Sequence, residues 1–403
     1  MKYLKIIVLI GILMNLSLIL YAGSVDYLSN QSVQFLRTLS RNAAVDETDA
    51  IIYNPAGITK LSSGTYIGFN WQGFTKEYSI KDLETGKKYK TTIPTPFIPS
   101  VLYLCKMDKL ALFGGFTIPA GGGTLEYKDG LYMIRSLDEG YFKGVSLYYG
   151  YTIGFAYQLD DIVSFSMASR YIDAIKEYEG SASHSVLGSV LEIDSKKEAS
   201  GHGGIFGINL NLYKMNVGIR YETQTTLRFE TKTKTLQIHP ALAENMAILS
   251  DIFENGKKEY RDLPAQLSIG ASVEATKDLS INWGYNMYFL EKAAQTNEGY
   301  LAYDEGIELQ FGAEYKLNKK WLLSAGYNYV IVGGNKDTYS DFEYQLDSHF
   351  IGAGFKFTPS HKYHINFAIA KPFYETSKGS RTFEKAEYSK NVNILGIGIE
   401  YKI

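Results

Sequence analysis

Six histidines are the imidazoles this chain could bring to a metal ion or to proton transfer: His184, His202, His239, His349, His361 and His364. Most of them fall between patterned segments or at segment ends. His361 and His364 are close together, but their spacing puts them on opposite faces of a strand, so they cannot share a metal. No Gly-x-Ser-x-Gly elbow occurs, and no nucleophile, base and orienting acid can be assembled. An enzyme, a metal site and a cofactor are therefore not expected. Cys105 is the lone cysteine, so no internal disulfide can form, and it reads as a small packing residue. Lys and Arg total 41 against 43 Asp and Glu, a net charge of −2, which leaves no basic excess for nucleic acid and no acidic tail. The remaining chemistry belongs to the backbone. It sits in two places, Tyr53-Asn54-Pro55-Ala56-Gly57-Ile58 and the run from Phe113 through Pro119, Gly121, Gly122 and Gly123 to Thr124. Proline removes a ladder donor and glycine permits bulges, so strand pairing is expected to fail near Pro119. The alternative is that Pro119 ends a strand where a loop begins.

These positions must be held by an architecture, and the chain's start bears on it. Lys2 and Lys5 precede an apolar run from Ile6 to Leu20, followed by Ala22-Gly23-Ser24. This predicts a signal peptide over 1–24, cleaved near Ala22 or Ser24, with an uncleaved anchor helix as the alternative. No cysteine lies near that site to carry a lipid. Past residue 24 no run reaches the ~18 apolar residues of a helical span. The 33 Tyr and 38 Gly against 9 Pro suit strands joined by tight turns.

From about residue 65 the sequence alternates. Leu279, Ile281, Trp283, Tyr285, Met287 and Phe289 share one face, opposite Ser280, Asn282, Gly284 and Asn286. Fourteen such segments can be counted, near 65–79, 97–106, 109–118, 145–159, 161–178, 203–213, 214–230, 263–276, 278–291, 304–317, 320–332, 345–358, 361–373 and 389–403. Short polar turns, as at 159–162, 275–278 and 317–320, alternate with long loops at 80–94, 179–202, 231–262, 292–303, 333–344 and 374–388. A soluble sandwich also alternates. Here, however, aromatics gather at segment ends and the second face carries Asn, Glu, Lys and Gly, which suits a lipid-facing band around a polar lumen. The prediction is an all-β protein: a 14-stranded antiparallel transmembrane β-barrel over 65–403, monomeric, surrounded by outer-membrane lipid in a diderm bacterium. The chain ends in Ile403 rather than the terminal Phe usual in clients of the barrel-assembly machinery, although the alternation and Tyr401 remain.

Residues 25–64 break the alternation. Val33, Leu36 and Leu39 are spaced as on a helix, and Asn54-Pro55-Ala56-Gly57 reads as a fixed turn before the first strand, with Pro55 limiting the hinge, Gly57 permitting the reversal and Asn54 bonding nearby backbone. A lumen of fourteen strands leaks or needs filling, so this segment is expected to plug it.

The string LSRNAAVDETDAIIYNPAGITKL, residues 39–61, resembles the N-terminal signature of the FadL/TodX family of outer-membrane transporters for long-chain fatty acids and other hydrophobic compounds. That signature has a small-residue run, an Asp-containing segment, Asn-Pro-Ala-Gly and a Leu before the first strand. The stretch from GSASHS at 180–185 through DSKKEASGHGGIFGINLNLYKMNVGIRYETQTTLRFE at 194–230, and RDLPAQLSIGASVEA at 261–275, are similar to later family blocks. The resemblance implies a hatch over 25–64, passive transport, and lateral exit through a kinked strand, for which Pro119, Gly121, Gly122 and Gly123 are the matching residues. It also implies a long-chain fatty acid or other hydrophobic ligand. Two stretches with helix-like apolar spacing inside loops, 184–193 with Leu187 and Leu191 and 238–253 with Leu242 and Met246, are the expected groove. Arg170, Arg220 and Lys356 are the inward cations that could meet a carboxylate, or could be balanced by neighbouring acids. The other readings are a structural or adhesive barrel and a general diffusion porin.

Overall fold

The computed structural model describes residues 32–293, 303–380 and 383–403. The predicted signal peptide lies outside the described residues. Eighteen strands form one antiparallel sheet among those described. Fourteen of them close a ring: β1 Gly64–Asp82, β2 Thr95–Met107, β3 Leu110–Tyr127, β4 Glu139–Gln158, β5 Val163–His184, β6 Gly188–Leu212, β7 Met215–Glu222, β8 Gln266–Glu274, β9 Leu279–Tyr288, β10 Gly306–Lys316, β11 Trp321–Ile331, β12 Ser348–Ser360, β13 Tyr363–Tyr374 and β14 Ala386–Lys402. Each pairs with its neighbours, and β1 returns to β14 in an unbroken register from Tyr66↔Lys402 to Asp82↔Ala386. Short strands at Lys88–Thr91, Arg228–Ile238, Lys258–Tyr260 and Ser377–Lys378 extend the sheet beyond the ring at the long-loop end.

All fourteen alternating segments of the sequence correspond to ring strands, and the alternation is inside out relative to a soluble core. Ile153, Ile281 and Ile397 are 73%, 44% and 41% exposed, while Asn282, Gln310 and Asn366 are at most 6% exposed. Apolar side chains face outward and polar ones fill the interior, the pattern of a barrel whose outside meets lipid. Aromatics mark both edges of the outer band. Trp321 stacks near Phe355 and Phe357, and Tyr363 on Tyr401, at the short-turn end; Tyr327 and Tyr329 flank His349 toward the other. No helix among the described residues is long and apolar enough to cross a membrane.

The loop expected over 179–202 is instead strand. β5 and β6 run 22 and 25 residues, far beyond the ~10 needed to cross a bilayer, and pair out to His184↔Gly188. Their outer parts rise beyond the lipid band: inward side chains such as Ala182, Leu191 and Ile193 pack under the loops, while the outward ones are polar, so the outward apolar half of the alternation is lost.

Residues 32–61 lie inside the ring. Helix α1, Val33–Thr38, is capped by Ser32, whose Oγ accepts from the Phe35 amide at 2.9 Å, and it packs on β10 to β14 and β1. Helix α2, Ala50–Tyr53, leads into a 3-10 turn, Pro55–Lys60, which packs on β3 to β7, across the lumen from α1.

Candidate functional site

The internal segment approaches the wall backbone to backbone. A Cβ on Gly312 or Gly326 would fall 2.4 or 1.9 Å from the Thr38 carbonyl oxygen, on Gly352 2.2 Å from that of Leu36, and on Gly218 2.1 Å from that of Asn42. The small residues of the inward face thus form a belt of close approach. Around it the segment is tied by charge. Arg37 is fully buried and bonds Glu47 at 2.9 Å, Glu314 at 2.5 Å and the Asn366 side chain at 3.0 Å. Arg41 pairs with Asp49 at 2.6 Å and Asp46 at 2.8 Å. Burial alone would raise the Glu47 carboxyl, but Lys356 and Arg37 hold it well below its ordinary range.

The Asn54–Gly57 turn sits where the segment meets the far wall. The Asn54 amide donates to the Ala44 carbonyl at 3.0 Å and to Asn209 on β6 at 2.7 Å, and the Ala56 carbonyl accepts from Ser164 on β5 at 2.9 Å. Pro55 opens the 3-10 turn. Gly57 does not take a positive φ, contrary to the reversal expected of it. It is needed because a Cβ there would lie 2.4 Å from the Ala44 oxygen.

Strand β3 is kinked where its Pro and Gly residues fall. It does not end at Pro119 but continues to Tyr127. On its β4 side the register slips twice, between Thr117 and Ala120 and between Ala120 and Gly123. On its β2 side pairing stops at Val101↔Phe116 and resumes only at Thr91↔Tyr127, on a short accessory strand. Gly121 and Gly123 adopt φ of 95° and 70°, the left-handed region that glycine tolerates and other residues rarely enter. Residues 117–126 therefore form a break in the β2–β3 ladder.

Two cavities flank that break. The larger, about 170 Å³, is lined by Ala120–Gly123, by the rings of Tyr78, Tyr148, Tyr178 and Tyr344, and by Lys176, Arg261, Lys390 and Glu343. The smaller, about 70 Å³, lies against Ile98, Ile118 and Pro119 and shares Tyr78, Ala120, Gly121 and Gly122 with the first. Above them the long loops close into an apolar cap in which Phe342 packs against Phe142 and Phe253.

No family model and no curated protein matches this sequence. Solved structures do. The Ralstonia pickettii toluene transporter TbuX aligns with a TM-score of 0.67 at 15% identity, over 94% of this chain and 100% of that one. A Pseudomonas aeruginosa FadL homologue gives 0.65 at 13%, over 94% and 99%, and the P. putida toluene transporter TodX 0.65 at 15%, over 88% and 94%. The fold is that of the FadL/TodX transporters.

Within the FadL/TodX fold, the residues expected to act separate into groups. Pro119 and Gly121–Gly123 come together at the ladder break, where Gly121 and Gly122 border both cavities, Pro119 the smaller and Gly123 the larger. Arg170 and Arg220 meet on one buried acid, Glu222, in the lumen. Lys356 is engaged by Glu47 at 2.9 Å and Asp46 at 3.2 Å, so its charge ties the segment to the wall. Leu191 and Met246 are buried in the loop cap, with Leu187 and Leu242 packed against it. The helix expected over 184–193 is a hairpin: Leu187 lies in its turn and Leu191 in strand β6. Over 238–253 the α-helical part is Ala247–Ile252. Lys176 and Lys390 were missed, although each falls on the inward phase of its strand. A single lysine near a strand end reads as a rim charge until the loops are seen to fold over it.

Proposed function

We propose that this protein is an outer-membrane channel through which hydrophobic compounds move passively down their gradient. Residues 1–24 are its export signal, 25–64 its hatch and 65–403 its barrel. In this reading ligand enters through the loop cap, reaches the larger cavity, is stopped from below by the hatch, and leaves sideways through the wall. The observation that carries it is the break in the β2–β3 ladder at residues 117–126, bordered on both sides by cavities. A barrel wall is sealed by its ladder, so an interruption bordered by cavities is an exit for an apolar solute. The internal segment supports the same reading, since buried ion pairs at Arg37 and close contact with wall glycines hold it within the lumen. The toluene transporters and the FadL homologue that share the fold favour a hydrophobic cargo, with long-chain fatty acids and monoaromatic hydrocarbons as its two classes.

The test is uptake of labelled oleate and of toluene by cells carrying the wild-type chain or one lacking residues 25–60. Saturable uptake of either compound without bulk ion conductance supports the reading. Conductance by the intact protein with no hydrophobic uptake would make it a diffusion porin instead.

A further inference from the structure

One cation spans the ladder break. Lys76 lies on the inward face of β1 and is 6% exposed. Its ammonium donates to the Gly122 carbonyl of β3, the same oxygen that the Thr95 hydroxyl of β2 reaches at 3.5 Å. The carbonyl belongs to the stretch that has lost its β2 partner. Side chains of β1 and β2 therefore bond a β3 oxygen where the ladder does not. Ala120, Gly121, Gly122 and Tyr78 border both cavities, so this bond lies in the partition between them. Lys76 is the one charged side chain among the described residues lining the smaller cavity, whose other walls include Phe74, Ile98, Ile118 and Ile394. The Tyr78 ring centroid is 5.8 Å from the ammonium.

A solute crossing this partition must move the Gly122 carbonyl away from Lys76. A buried ammonium that gives up a hydrogen bond in an apolar setting is disfavoured. A solute bearing its own acceptor, above all a carboxylate, replaces the lost bond with a charge-assisted one. A hydrocarbon cannot. We propose that Lys76 is a latch that sets specificity at the wall opening, exchanging the Gly122 carbonyl for the head group of an anionic amphiphile and admitting it ahead of neutral hydrocarbons. The proposal rests on the lateral-exit reading above.

The experiment compares initial uptake of oleate and toluene by wild type, Lys76→Met and Lys76→Arg, with heat-modifiable gel migration confirming that each barrel is folded. The expected result is an oleate-to-toluene ratio lowered about tenfold in K76M, through a raised KM for oleate with toluene uptake unchanged or increased, and restored in K76R. Equal loss of both compounds in K76M marks Lys76 as structural and overturns the proposal, as does an unchanged ratio. A wild type that carries toluene but not oleate overturns it too. A wild type that carries neither defeats the transport reading itself. If K76M does not fold, Lys76→Gln, which keeps a donor but no charge, decides by the same ratio.

Discussion

The Arg37 guanidinium reaches 277 positions along the chain to bond Glu314 at 2.5 Å, while its other edge holds Glu47 at 2.9 Å. One side chain thus joins the internal segment both to itself and to β10. Replacing it with an apolar residue takes a cation from each of two buried carboxylates, leaving Glu47 to Lys356, and breaking a buried pair from one side typically costs about 3–5 kcal/mol. Arg37→Met is expected to lower the unfolding temperature and to open an ion path, read as conductance steps in planar bilayers that the wild type does not show.

The ladder break predicts a local difference in backbone protection. Peptides covering residues 117–126 should exchange amide hydrogens faster than those covering 110–116, because the β2 register ends at Phe116. Converting Pro119, Gly121, Gly122 and Gly123 to Val should lower hydrophobic uptake about tenfold, since new pairing would seal the exit. Strain at Gly121 and Gly123, whose φ values are positive, makes Pro119→Val alone the milder companion. Unchanged uptake in both would remove the break from the transport route.

Asp341 gives the loop cap a pH dependence. It is 2% exposed, and its Oδ2 accepts from the Met133 amide at 2.5 Å. Burial pushes its carboxyl up to about 7, against the opposing pull of that hydrogen bond and of Arg135. The folded loop therefore holds a proton that the unfolded loop releases above about 4. Its stability is greatest at low pH and falls as pH rises toward 7, above which the loss is complete. Proteolysis within 333–347 should be faster at pH 8 than at pH 5, and Asp341→Asn should flatten the difference.

The belt of close approach makes a steric prediction. Gly326→Val places carbon where the Thr38 carbonyl oxygen stands, so the segment must shift from the wall, and trypsin should gain access to Arg37 and Arg41. Gly122→Ala, where an added Cβ meets nothing within 4 Å, should leave both arginines protected.

The ring was readable because its signal is local. A strand between lipid and lumen must alternate with period two, and Ile281 beside Asn282 shows it without reference to any other strand. The signal fades in the outer parts of β5 and β6, where water replaces lipid on the outward face and Glu177, Glu179, Glu192 and Lys196 stand where the barrel strands carry apolar residues. The pairing of Arg37 with Glu314 was beyond reach for another reason. Nothing in a single sequence tells which of many carboxylates a buried guanidinium will meet when the two are separated by most of the chain. The kink stood between these cases. Pro119 and the three glycines forecast trouble in the ladder, but which neighbour would be lost, β2 rather than β4, followed only from the registers on either side.

Where Gly312, Gly326 and Gly352 face Thr38 and Leu36, main chain rests on main chain with no side chain between. Side chains absorb displacement by changing rotamer, whereas packed backbone is nearly incompressible. The internal segment and that arc of wall consequently behave as one solid body. A shift of α1 has no cushion to dissipate in, and it is passed to β10, β11 and β12 as strain in the wall. The softer side is β3, where the ladder is already interrupted, so deformation of the ring will concentrate there.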